Sequence, residues 1–261
     1  MSTTETASIA TDALIERQLR RAPALHVYEL GDLDPREAAH TTVYANADAS
    51  AVAVLYRGLA VPTLLAFADG NAAALRELLA RHARALPDRF YAHLTPGLDV
   101  ALAADFAGDL LGENRKLGLG ALRGDAGADA DVVALSAADA ARASAFYAAH
   151  YPGHWFEPAS LERGPYLALS DGHGLAAIAG VHVYSPTKRV AAIGNVATRG
   201  DARGRGLARR ITGALCRRLR AEVDTIGLNV RADNAPALAC YRGLGFEDVG
   251  EFREWRFGRR T

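Results

Sequence analysis

Between Gly174 and Phe257 the hydrophobic period alternates between two values, and no single-class fold accommodates that. The segments at 174–185 (GLAAIAGVHVYS) and 189–198 (RVAAIGNVAT) read as neighbouring antiparallel strands. A helix starts near Gly206 and ends near Glu222; TIGLNV at 225–230 reads as a strand, Asn234–Gly243 as a helix and 246–257 as strand material. Upstream lie a strand at 131–135, a helix capped by Ser136 and reaching about His150, a short helix near Pro158–Arg163 and a strand at 165–170. The order β-α-α-β-β-β-α-β-α-β implies an α/β (α+β) architecture, with helices packed on a mixed, mostly antiparallel sheet.

The first half has a similar order. A helix near Ser8–Arg21 precedes an apolar run at Leu25–Leu30. A plausible hairpin joins 51–57 to 61–68, Asn71 caps a helix to about Leu86, and a strand at 88–94, a short helix at 97–106 and a strand at 113–120 follow. Between the halves, Arg123–Asp131 is small, acidic and aperiodic, as a linker is. The expected domains are residues 1–124 and 131–261, and their similar order suggests two related folds in tandem.

The totals narrow the function classes. The chain has 261 residues, of which 50% are hydrophobic and 23% charged, which fits a soluble globular protein. Lys plus Arg and Asp plus Glu are each 30, so no overall charge excess points to nucleic acid or a membrane. The halves differ: residues 1–130 carry 12 basic and 17 acidic side chains, and residues 131–261 carry 18 and 13, so an anionic ligand belongs in the second half. Cys216 and Cys240 are too few for a disulfide scaffold, no apolar leader opens the chain and no long apolar run occurs. The expectation is a cytoplasmic protein, with no membrane or nucleic-acid partner.

Chemistry concentrates between Asn195 and Phe246. The segment Arg203-Gly-Arg-Gly-Leu-Ala208 lies between a strand and a helix. Glycines let backbone amides approach a ligand, and a helix N-terminus favours an anion. From Arg199 to Arg220 there are eight Arg and one acidic residue, Asp201. Together these describe a site for a di- or polyphosphate. The chain has no Gly-Lys pair, which excludes a Walker loop, and the dinucleotide pattern G-x-G-x-x-G fails at its last position, where Arg209 stands.

What remains, Arg203-x-x-Gly206-x-Ala208, resembles the coenzyme A pyrophosphate loop of the GNAT N-acetyltransferase superfamily. The second part of that family's pattern follows within about 45 residues, as Asn234-x-x-Ala237-x-x-x-Tyr241-x-x-x-Gly245-Phe246. The resemblance covers about residues 131–258 and is nearest to the glycine N-acyltransferase-like branch, in which a degenerate domain precedes the catalytic one. It implies a GNAT fold, two tandem copies of it, and acetyl-CoA or another short acyl-CoA as cosubstrate, without a metal. It also implies residue roles. Val196, Ala197 and Thr198 line the pantetheine, with the Val196 N–H as donor to the thioester carbonyl. Amides of Arg203, Gly204, Arg205, Gly206, Leu207 and Ala208 hold the pyrophosphate. Asn234 contacts pantetheine or caps its helix, and Tyr241 protonates the leaving thiolate.

The general base is not legible in the same way. Many relatives carry a carboxylate on the strand before the loop, but Ala191–Asn195 has none. His182, Tyr184, His154 and Glu157 are the candidates. His182 is preferred because strand alternation faces it away from Val181 and Val183 and because an imidazole titrates near neutrality. A structural histidine is the plainer alternative, and His154-Trp155 falls where relatives bind acceptors. Neither Cys holds a nucleophile position. The expected activity is direct acyl transfer from acetyl-CoA to a small-molecule amine or amino-acid-like acceptor. A non-catalytic acyl-CoA sensor and an Arg-dependent nucleic-acid binder are the alternatives. The first half lacks a phosphate loop: Ala68-Asp-Gly-Asn71 has an acidic residue there and no Arg.

Overall fold

The computed structural model describes residues 11–124, 131–153 and 156–260. The linker at 123–131 and the His154-Trp155 pair therefore fall largely or wholly outside the described residues. The chain forms two compact units: Met1–Arg115 with Gly250–Thr261, and Lys116–Val249.

In the first unit, helices α1 (Asp12–Leu19) and α2 (Val27–Asp32) precede strands β1 (Thr41–Ala45), β2 (Val52–Tyr56) and β3 (Thr63–Ala66). Helix α3 (Ala72–His82) then crosses to β4 (Arg89–Leu94), and β5 (Phe106–Leu119) follows, belonging to the second unit from Lys116 onward. The β1-β2-β3 ladder is antiparallel, whereas β3 and β4 run parallel, from Thr63 opposite Tyr91 to Ala66 opposite Leu94. A parallel pair needs a crossover, and α3 supplies it. Helix α3 buries one face through Leu75, Leu78 and Leu79. Phe90, Phe106 and Phe257 cluster in the same core, with Phe90 stacked on Phe257 at 5.3 Å.

One reading changes here, and two segments gain an assignment. Leu25–Leu30 contributes to α2, and β1 is an additional strand. The expected helix at 97–106 is a single 3-10 turn at Asp99–Ala101, because β5 already begins at Phe106.

The second unit has strands β6 (Val133–Ala134), β7 (Leu167–Asp171), β8 (Gly174–Ser185), β9 (Val190–Thr198) and β10 (Thr225–Arg231), in that spatial order. All neighbours are antiparallel except β9 and β10. Helices α4 (Ala140–His150) and α5 (Ser160–Arg163) precede β7. Helix α6 (Leu207–Leu219) is the β9–β10 crossover, and α7 (Ala235–Leu244) leads into β11 (Phe246–Arg259). From Gly250 onward β11 belongs to the first unit, where Arg253–Gly258 pair with β4. The capping box at Ser136 forms with Asp139. Helix α6 packs on β7, β8 and β9, and Ile211, Leu215 and Leu219 of its apolar stripe are buried. Two antiparallel ladders, a crossover helix and a parallel strand thus occur in both units.

Gly245 shows why the second motif ends as it does. It terminates α7 in the left-handed region at φ 98°. A Cβ there would overlap the Ala121 carbonyl oxygen. The backbone is held close by the Gly120 N–H donating to the Gly245 carbonyl at 3.0 Å and the Arg123 N–H to that of Leu244 at 2.9 Å. Gly245→Ala should combine φ strain with a backbone clash and lose at least about 2 kcal/mol in a urea melt. An unchanged midpoint would show that this approach is not needed.

Candidate active site

The centre of the site is an irregularity in β9. Ile178 pairs with Ala197, and the next pair is Gly180 with Gly194, so Asn195 and Val196 together face Ala179. This is a β-bulge. Asn195 adopts φ 52° there, a conformation Asn tolerates better than most residues. The Tyr147 hydroxyl of α4 donates to the Asn195 carbonyl at 2.6 Å. Asn195 Nδ2 donates to Tyr166 Oη at 2.9 Å, and that hydroxyl donates to the Val181 carbonyl at 3.1 Å. Burial pushes both phenols up, so both remain donors across the physiological range. In a trans peptide the carbonyl and the following N–H point in opposite directions. By fixing the Asn195 carbonyl, Tyr147 therefore fixes the Val196 N–H, which the family resemblance makes the oxyanion donor.

Beside the bulge, β9 leaves β10. Their register ends at Ile193 opposite Leu228, while β9 continues to Thr198 and β10 to Arg231. Each diverging stretch carries a buried side-chain oxygen without a partner, Thr198 Oγ1 on β9 and Asn229 Oδ1 on β10. Leaving such groups unsatisfied costs stability, so the opening suits an amide-bearing ligand such as pantetheine.

The loop after β9 suits phosphates. Gly204 and Gly206 both lie at positive φ, 75° and 74°, with open space where a Cβ would stand. No side chain caps α6, which leaves its first-turn amides and its dipole to a ligand. In α3, at the equivalent place in the first unit, the Asn71 side chain accepts from the Ala74 N–H at 3.1 Å. That terminus is self-satisfied.

The Arg run is mostly structural. Arg199 donates to Asp171 at 2.7 Å, to Asp201 at 2.6 Å and to the Leu175 carbonyl at 3.0 Å, tying the end of β9 to its neighbours. Hydrogen bonding to Arg199 lowers the Asp171 pKa to about 2. A depressed carboxylate pKa stabilises above the ordinary range and is lost as pH falls through the folded value. This anchor is therefore complete above about pH 4 and opens only towards pH 2. Arg209 donates to the Gly243 carbonyl at 3.0 Å, Arg210 pairs with Asp131 and Arg220 with the Gly120 carbonyl. Arg203 and Arg205 remain exposed on the loop, with Arg203 at 3.4 Å from the Thr198 carbonyl. Leu207 and Ala208 are half-buried in the first turn of α6.

Asn234 caps α7, its Oδ1 accepting from the Ala237 N–H at 3.2 Å. Tyr241 is half-buried on α7, edge-on to Phe246 at 5.9 Å. Cys216 is buried mid-helix and burial pushes its thiol up to about 12; Cys240 is also raised. Neither is primed as a thiolate nucleophile. Tyr184 is engaged by Glu222 at 2.6 Å, and Glu157 lies 3.7 Å from Arg163.

His182 sits differently from the simple alternation expected. The pairing passes from Val181–Ile193 to Val183–Ala192, so His182 is itself a bulge residue. Its exposed ring lies directly on Gly194, where any Cβ would overlap it. The residues that sequence reasoning missed are Asn195, Tyr147, Tyr166, Gly194 and Asn229. A conformation-permissive Asn inside an apolar strand was the available signal for the bulge. Among the described residues, no group of three or more His, Cys, Asp or Glu could hold a metal, and no helix is long and apolar enough to cross a membrane.

Residues 135–246 match the Acetyltransferase (GNAT) family. No curated protein matches the chain. Solved structures similar to it include one described as an acetyltransferase from the GNAT family of Novosphingobium aromaticivorans. It is 21% identical over 89% of this chain and 96% of its own, with a TM-score of 0.62. A GCN5-related N-acetyltransferase from Kribbella flavida is 17% identical over 97% of each chain, at 0.54. A tandem GNAT protein from the clavulanic acid biosynthesis pathway is 16% identical over 95% of this chain and 96% of its own, at 0.50. The fold is the GNAT fold.

Tyr147→Phe should leave the Asn195 carbonyl buried and unpaired. The expected loss is about 1–3 kcal/mol in chemical denaturation. Stability equal to the parent would show that the bulge holds its peptide without this bond.

Proposed function

We propose that the protein transfers an acetyl or other short acyl group from its coenzyme A thioester to a primary amine, directly and in a ternary complex. The observation that carries this reading is the divergence of β9 from β10 beside the uncapped, glycine-opened N-terminus of α6. The bulge amide and Tyr241 lie in the same unit, and the match to the acetyltransferase family over 135–246 supports the chemistry. When bound, acyl-CoA supplies an activated thioester carbonyl.

The chain's own groups then have distinct tasks. Amides from Arg203 to Ala208 hold the pyrophosphate, and the Val196–Thr198 backbone aligns the pantetheine arm. The Val196 N–H, held by the Tyr147–Asn195 bond, stabilises charge growing on the carbonyl oxygen as the amine attacks. The amine nitrogen bonds to the acyl carbon, and the carbon–sulfur bond breaks. The amine's proton passes to His182, directly or through water, and Tyr241 gives its proton to the departing thiolate. The raised thiols of Cys216 and Cys240 support direct transfer over an acyl-enzyme. The first unit repeats the crossover topology of the second but self-caps its helix, which supports a degenerate tandem copy that does not hold coenzyme A. The tandem GNAT neighbour accords with that arrangement. A cytoplasmic, small-molecule-directed enzyme is the corresponding assignment.

A second reading is a non-catalytic acyl-CoA sensor, favoured by the lack of a carboxylate from Ala191 to Asn195. Calorimetric titration with acetyl-CoA and free coenzyme A, followed by thiol release with an amine panel, separates the two. Binding with turnover supports the enzyme; binding without turnover on any amine supports the sensor. No binding up to millimolar removes both. Ala208→Glu places a carboxylate in the first turn of α6, where the helix dipole favours it, and should abolish coenzyme A binding without unfolding the protein. Tyr241→Phe should leave the affinity for acetyl-CoA unchanged and lower kcat by about 10²–10⁴-fold. Full turnover by this variant would remove Tyr241 as the acid.

A further inference from the structure

We infer that Asn229, which belongs to no motif in the chain, holds the acceptor amine in register for attack. This rests on the acyltransferase reading above and assigns that site's amine-positioning residue. Asn229 lies one residue beyond Leu228 on β10, and Gly194 lies one residue beyond Ile193 on β9. These are the first positions past the last pair, where the opening between the strands begins. Residues at one level on neighbouring strands face the same side of a sheet. Asn229 therefore shares the side of Gly194 onto which the His182 ring folds.

Distance along the strand separates this level from the cosubstrate's. Gly194 is two residues before Val196, roughly 6–7 Å along an extended strand and less across a bulge. The pyrophosphate loop lies in the opposite direction, beyond Thr198. The ligand groups thus occupy the opening in order, with phosphates at 203–208, pantetheine near Thr198 and the thioester at Val196. A group at the level of Gly194 and Asn229 is on the far side of the thioester carbon, where the amine approaches.

The chemistry of the carboxamide agrees. Asn229 Oδ1 is buried and has no hydrogen-bond partner, so it is an acceptor waiting for a donor. Of the two reactants, the amine brings N–H groups to this end of the opening. A neutral oxygen that accepts one N–H directs the nitrogen lone pair without taking its proton. His182, on the adjoining position and exposed, is left to receive the proton. This division explains how a β9 strand without a carboxylate can serve an amine: orientation comes from β10 and proton acceptance from β8.

Three variants test the assignment: Asn229→Leu, which removes the acceptor at similar size, Asn229→Asp, which keeps it and adds charge, and Thr198→Val as a cosubstrate-side comparison. Each is titrated with acetyl-CoA by calorimetry. Each is then assayed for thiol release with the amine giving most turnover among glycine, lysine, putrescine, spermidine and glucosamine. Asn229→Leu should bind acetyl-CoA within about twofold of the parent and raise KM for the amine about 5–20-fold, the effect of one lost hydrogen bond. Asn229→Asp should restore amine KM and displace the acidic limb of the kcat/KM profile; Thr198→Val should weaken acetyl-CoA and leave amine KM alone. An unchanged amine KM in Asn229→Leu overturns the inference while the parent's turnover leaves the acyltransferase reading standing. Weakened acetyl-CoA binding with unchanged amine KM assigns Asn229 to pantetheine instead. A parent that neither binds acetyl-CoA nor turns over sinks both readings.

Discussion

One hydrogen bond sets the geometry on which the second unit's site depends. The Tyr147 hydroxyl holds the Asn195 carbonyl at 2.6 Å, and with it one peptide plane. A strand ladder would by itself point that peptide towards a neighbouring strand. The bulge releases it, and Tyr147 gives it a new partner, so the Val196 N–H faces a defined direction. Tyr147 is fully buried and stacked on Phe156 at 4.6 Å, so the donor itself cannot wander. Through Asn195 the same network reaches Tyr166 and then Val181. The positive φ of Asn195, a cost in an isolated strand, is offset by three hydrogen bonds formed in the core.

The rest of the site follows from which backbone groups the fold leaves unpaired. Parallel pairing of β9 and β10 stops at Ile193–Leu228, and beyond it each strand carries one buried side-chain oxygen without a hydrogen-bond partner. At the next step the chain turns through two positive-φ glycines into a helix without a side-chain cap. Charge contributes less than the Arg-rich sequence suggests, because Arg199, Arg209, Arg210 and Arg220 are engaged by protein oxygens. On the reading proposed above, phosphate recognition falls mainly to backbone N–H groups. The first unit illustrates the opposite choice with similar topology. There Asn71 closes the helix terminus with its own side chain, and Asp69 stands nearby.

Much of this was legible from local pattern. The β7-to-β11 order, the crossover helix after β9, the caps at Asn71, Ser136 and Asn234, and the apolar stripe of α6 all depend on neighbours within a few residues. So do the glycine loop and the Asn234–Phe246 motif. These features are written in the sequence because period, turn chemistry and capping are short-range. Strand β1 and the single turn at Asp99–Ala101 were less legible, since each is decided by a partner strand's reach.

Only the tertiary structure brought together residues far apart in the chain. Tyr147 meets Asn195 across 48 positions, and no local pattern announces a phenol aimed at a distant carbonyl. His182 lies on Gly194 because two bulges shift the register of β8 against β9, which simple alternation does not foresee. Asn229 looks like an ordinary strand residue until the pairing of β9 and β10 is seen to end beside it. The sequence by itself determined the elements, their order and the phosphate-type loop. The directions of the Val196 amide, the His182 ring and the Asn229 carboxamide were decided by packing, because hydrogen-bond direction depends on which strand or helix lies alongside.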